Sequence, residues 1–205
     1  MKRREALKSL TLSTGLVISQ ASLIGLVQSC SNSPGLDWVP MNFTEEEAST
    51  VSAVCNVIIP KGADVGAVDM KVPMMIDKFS KDVFSENKSE IYKKGLSLFN
   101  QDVDRVEGKI FANLTFDQQN DVIKRYFGLE PNRIADILMD IRALESKECS
   151  EECYLYGFLI QTRELSISLY RTSRYVGMEM LNYDPIPGVY QGCIDYSTGD
   201  RPWSL

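Results

Sequence analysis

Not one of the 205 residues is a histidine. That absence excludes Ser-His-Asp and Cys-His catalysis, His-ligated zinc or non-haem iron, and haem attachment through CxxCH. GxGxxG and GxxxxGK are missing too, so the chain carries neither a dinucleotide fingerprint nor a phosphate loop. Positive charge is scarce, with 22 Lys and Arg against 28 Asp and Glu. Lys2, Arg3, Arg4, Lys8 and the acidic Glu5 fall in the first 29 positions, so the remainder holds 18 basic and 27 acidic residues, close to −9. Such a surface repels nucleic acid and offers no polybasic membrane patch. A clean transmembrane run is lacking as well. Leu10 to Val27 is apolar but broken by Thr11, Ser13, Thr14, Ser19, Gln20 and Ser22, which makes it a poor permanent span.

What is present at the start reads as an export leader over residues 1–29. Arg3-Arg4 followed by Ala6, Leu7 and Lys8 gives RRxxLK, the twin-arginine pattern that routes folded proteins across a bacterial inner membrane. An ordinary unfolded-export leader with two arginines is the alternative. The leader ends LVQSC, with Ser29 directly before Cys30, the form of a lipoprotein lipobox. Lipidation of Cys30 would anchor the chain through acyl chains, on the periplasmic side of the cell envelope; an incidental cysteine beside a simple cleavage site is the other reading. Residues 30–42, rich in Ser, Asn, Pro and Gly, read as a flexible tether.

The roughly 175 residues after the leader suffice for one domain with a real core. Their periodicity is helical almost throughout. Thr44 and Glu47 have capping-box spacing ahead of a stripe of Ala48, Val51, Val54, Cys55 and Ile58, stopped by Pro60. After a Gly-containing loop, Val72, Ile76, Phe79 and Val83 share a face, with Pro73 in the first turn. Ile91, Gly95, Leu98, Phe99, Val103 and Val106 follow. Thr115 and Gln118 form a second box before Val122, Ile123, Tyr126 and Phe127, with Gly128 as the stop. Ile134, Ile137, Leu138, Ile141 and Leu144 mark another helix, and residues 151–181 hold a long and a short one. The expectation is a single all-α domain, residues 43–205, of about six or seven helices.

Cys149 and Cys153 lie one helical turn apart in CSEEC, and Cys55 and Cys193 complete the set. In an oxidising compartment a disulfide among Cys149, Cys153 and Cys193 is the leading candidate, with plain buried thiols as the alternative. Residues 182–205 change character. Pro185, Pro187, Gly188, Gly192, Gly199 and Pro202 forbid a long helix, while Tyr183, Tyr190, Tyr196 and Trp203 are more aromatic than a solvated tail needs. This is an extended strap that packs either on its own helices or on another protein. Tyr183, Pro185, Pro187, Gly188, Tyr190, Cys193 and Trp203 are the candidate partner interface.

In the order FTEEE, NVIIP with its Gly-containing loop, VPMMID, and YRTSRYVGMEMLNYDPIPGVYQGC with Trp203 beyond, the chain resembles the small subunit (subunit 3) of the membrane-bound gluconate 2-dehydrogenase family. The resemblance runs from about Phe43 to the end. The missing histidine and missing nucleotide motifs, which lead us to expect a chain with no cofactor and no catalytic residue of its own, fit that resemblance. The resemblance implies a flavoprotein partner of the glucose–methanol–choline oxidoreductase type that holds FAD and oxidises a sugar acid or polyol, often with a haem-carrying cytochrome c subunit. The twin-arginine leader would then export a flavoprotein that folds around its cofactor in the cytoplasm. A free-standing helical lipoprotein is the competing reading.

Overall fold

A computed structural model of the chain describes residues 35–143, 150–186, 188–189, 193, 195 and 197–204. The leader residues Arg3 and Arg4, the lipidation candidate Cys30, and Cys149, Pro187, Tyr190 and Tyr196 lie outside the described residues. From Gly35 onward the described residues form one unit with six α-helices and no strand. They are α1 (Glu45–Ile58), α2 (Val72–Asp82), α3 (Glu86–Glu107), α4 (Phe116–Phe127), α5 (Pro131–Ala143) and α6 (Glu151–Arg171), with a 3-10 turn at Phe111–Asn113 and a π turn at Val176–Met180.

Both capping boxes form. Thr44 Oγ1 accepts from the Glu47 N–H at 3.2 Å while Glu47 Oε2 accepts from the Thr44 N–H at 2.8 Å. Thr115 and Gln118 repeat the exchange at the start of α4. Each box satisfies amides that the first turn cannot pair internally, worth about 1 kcal/mol. The loop after α1 is tied down: the Ala67 N–H donates to the Ile59 carbonyl oxygen (2.9 Å), and the Tyr170 hydroxyl donates to the Val65 carbonyl oxygen (2.7 Å). Gly66 is needed there, since a Cβ would lie 2.6 Å from the Lys61 amide nitrogen.

The first half of α6 is buried from Cys153 to Leu159 on nearly every side. A helix that is covered all round belongs at the centre, and α6 packs on α1, α2, α3 and α5. Its main partner is α3, which supplies Tyr92, Gly95, Leu96, Phe99 and Val103. The crossing is close because Gly95 has no side chain: a Cβ there would fall 2.2 Å from the Tyr154 carbonyl oxygen. Tyr92 meets Phe158 edge-on at 5.1 Å, and Phe99 meets Phe111 at 5.0 Å. Polar atoms inside are paired: the Tyr92 hydroxyl with Thr162 Oγ1 (2.7 Å), Thr50 with Asn100, and the Cys55 thiol with Ser166 Oγ (3.2 Å).

The helical stripes are wider in sequence than in the fold. Val83 and Val106 end their stripes exposed, and on α5 Ile134 and Leu138 are exposed while Ile137 is buried. α4 stops at Gly128 with φ of −86°, so the left-handed turn that a terminal glycine suggests is not used there; Gly108 after α3 adopts it, at φ 71°.

Candidate partner interface

Two constructions govern what the helical body presents outward. The first is where the chain enters it. Asp77, buried on α2, receives three backbone amides: Met41 on Oδ2 at 2.6 Å, and Asn42 and Phe43 on Oδ1 at 3.0 and 2.8 Å. The Asn42 side-chain amide donates to Ser80 and Ser89, and the Lys93 ammonium donates to the Asn42 carbonyl oxygen at 2.6 Å. A carboxylate surrounded by amides that point at it holds the chain as a charge-assisted clamp. The path entering α1 is therefore fixed against α2 and α3. Sequence reasoning read residues 30–42 as tether throughout and missed this clamp at its end.

The second is the strap. It leaves α6 through the π turn, where the Leu181 N–H reaches the Val176 carbonyl oxygen (3.0 Å). Twenty residues later it returns to the same place. The Asn182 N–H donates to the Pro202 carbonyl oxygen (2.9 Å), the Ser204 N–H to that of Asn182 (2.8 Å), and Asn182 Nδ2 to that of Arg201 (2.6 Å). Arg201 Nη1 donates to the Glu179 carbonyl oxygen at 3.0 Å. Asn182 and Trp203 thereby form an isolated parallel bridge. Gly199, at φ 105°, makes the last turn, with the Ser197 N–H held by Asp200 Oδ2 at 2.7 Å. Residues 182 and 203 thus close a loop whose ends are clasped.

The clasped loop shows apolar surface outward. Ile186 and Val189 keep 84% and 93% of their area open, and Tyr183 and Trp203 about half. Tyr175 and Met178, on the turn that carries the strap, are exposed as well. Of the expected interface residues, Tyr183, Pro185, Gly188, Cys193 and Trp203 are described and exposed; Cys193 carries a free thiol. Sequence reasoning missed Ile186, Val189, Tyr175 and Met178. Ile186 and Val189 carried a signal: large aliphatic residues set among prolines and glycine in a segment with no periodicity.

The cysteines occupy different environments. Cys55 is fully buried, and burial pushes its thiol up to about 12. Cys153 is buried at the start of α6, where its N–H donates to Ser150 Oγ. Elsewhere, burial raises Tyr126, whose hydroxyl also donates to Asp102, and hydrogen bonding from the Gly66 amide, then Lys61, lowers Asp69. Among the described residues, no three metal-ligating side chains converge and no helix is long and apolar enough to cross a membrane.

Against known proteins, a model of the gluconate 2-dehydrogenase subunit 3 family matches residues 45–188, which takes in all six helices and the strap as far as Gly188. No curated protein and no solved structure matches the chain.

Proposed function

The chain belongs to the gluconate 2-dehydrogenase subunit 3 family, and on that premise we propose that it is the non-catalytic accessory subunit of a flavin-dependent sugar, sugar-acid or polyol dehydrogenase on the periplasmic face of the envelope. The partner is a flavoprotein of the glucose–methanol–choline oxidoreductase type that holds FAD; a cytochrome c subunit accepts its electrons where one is present. The observation that carries the partner reading is the clasped loop with Tyr183, Ile186, Val189 and Trp203 facing out. The closure part of the loop's entropy is lost before binding, because the ends are already joined. More of the area buried on association therefore appears as affinity. Trp and Tyr, here Trp203 and Tyr183, are enriched among the residues that dominate interface energetics.

The remaining roles follow from the leader. Arg3 and Arg4 direct export of this chain together with its folded flavoprotein, and acylated Cys30 holds the complex on the membrane. The Asp77 clamp supports that reading, since it turns a tether into a defined point of attachment. Cys193, exposed on the loop with a free thiol, is a candidate for a bridge to the partner.

The test is coexpression of the chain with a flavoprotein of the glucose–methanol–choline oxidoreductase type from the same organism. The complex should purify yellow, with one flavin per pair, while the chain alone is colourless and inactive toward gluconate, glucose and polyols with an artificial acceptor. Replacing Arg3 and Arg4 by Lys should leave both proteins in the cytoplasm. Export of the flavoprotein without this chain would contradict the escort role.

A further inference from the structure

A cleft of about 520 Å³ opens between α3, α4 and the first two turns of α6. Its floor is Leu98 and Leu155, and two tyrosines wall it, Tyr126 and Tyr156, edge-to-face at 5.9 Å. Three carboxylates line it: Asp102, Glu151 and Glu152. Two of these are engaged, Asp102 by Arg105 and the Tyr126 hydroxyl, Glu152 by Arg133. Glu151 pairs with no described group.

Tyr156 is the unusual member. Only 8% of its surface is open, yet its hydroxyl has no hydrogen-bond partner among the described residues. It is not sealed off either, because no fully enclosed polar side-chain atom is left unpaired among the described residues. The hydroxyl therefore faces the cleft. Water can complete the hydroxyl in the open cleft, and a ligand bearing an N–H donor can take that water's place. With Arg105 on Asp102 and Arg133 on Glu152, Glu151 is the one lining carboxylate without a described cation, and tyrosine faces attract positive charge through the ring quadrupole. The phenol is neutral at neutral pH with its acceptor lone pairs available; burial first, then Glu152, raises its pKa further against the opposing pull of Arg133.

We propose that this cleft binds an organic cation bearing N–H groups, best a guanidinium, which donates to the Tyr156 hydroxyl and the Glu151 carboxylate and lies against the tyrosine rings. A planar guanidinium has five donors and stacks on aromatic faces, so it can satisfy both acceptors at once. Two sources share this chemistry: a free small molecule, or an arginine side chain on a partner protein. The site does not rest on the flavoprotein reading.

The test is a titration of the full chain with agmatine and, separately, with a capped Gly-Arg-Gly peptide, followed by the tyrosine ring signals in NMR. Saturable shifts of the Tyr156 and Tyr126 rings are expected. Tyr156→Phe and Glu151→Gln should each weaken binding about tenfold, as loss of a hydrogen bond to a charged group does. Glu86→Gln, at the far end of α3, should leave binding unchanged. Saturation by agmatine identifies a small-molecule site; saturation by the peptide alone identifies a partner's arginine. Absence of saturable shifts with both probes, or shifts equal in the two cleft variants and the native chain, overturns the proposal.

Discussion

Asn182 and Trp203 lie side by side in a parallel bridge that joins the two ends of the C-terminal strap. The contact turns a Pro- and Gly-rich segment into a closed loop, and its bonds are mostly main-chain bonds. Replacing Trp203 by Ala should therefore leave the bridge and the fold in place, because only the half-exposed indole is removed. Its effect should appear in the complex: about 2 kcal/mol of affinity for the flavoprotein, roughly thirtyfold in Kd. Calorimetry of the pair, with the thermal midpoint of the variant alone as control, measures both.

Asp77→Ala removes the acceptor of three buried or partly buried amides. Leaving them unpaired should cost about 3 kcal/mol, at roughly 1 kcal/mol or more per orphaned group. Asp77→Asn retains one carbonyl oxygen and should lose less. Urea midpoints rank the three proteins, and equal midpoints would show that the clamp contributes nothing to stability.

Gly95→Ala forces a methyl against the Tyr154 carbonyl oxygen, so α3 and α6 must separate. Overpacking at a helix crossing of this kind should destabilise by about 3 kcal/mol, although alanine is the better helix former. Chemical denaturation tests the sign directly. A more stable Gly95→Ala protein would mean that the two helices are not pressed together there.

The cysteines should separate by reactivity. At pH 8 the native protein should expose the Cys193 thiol to a disulfide reagent and withhold Cys55, which burial keeps protonated up to about 12. The folded pKa lies above the ordinary value of 9.0, so the folded state holds the proton more tightly than the unfolded chain. Its contribution to stability is complete below pH 9 and is lost as pH rises toward 12. Tyr92 is raised by burial in the same sense. Cys55→Ala should flatten part of the alkaline decline in stability.

Much of the fold was legible in local pattern. Thr44 with Glu47 and Thr115 with Gln118 are three residues apart, and the capping exchange they predict depends on nothing distant. The apolar stripes of α1 to α4 and the break at Pro60 are likewise local. The Asp77 clamp was hidden because its amides lie some 35 positions away, and an acidic residue in an amphipathic helix reads as a solvated face. Gly95 stood in the right stripe, but only the crossing geometry reveals why it must be glycine. For the strap, proline and glycine spacing told that it could not be helical, and its aromatics told that it must meet something. The clasp itself was invisible, because main-chain bonds between 182 and 202–204 carry almost no side-chain signature. Tyr156 was masked in YLYGFL, where an unbroken apolar run gives no hint of which ring edge opens to a cleft.

The most direct measurement compares the full chain with one ending at Asp184, each coexpressed with the flavoprotein and captured through this chain. The account predicts that the shortened chain keeps near-native far-UV circular dichroism, since all six helices precede the cut, and that only the full chain brings down yellow flavoprotein. A shortened chain that still captures the flavoprotein, or one that no longer folds by itself, would contradict the claim that the strap is built for a partner.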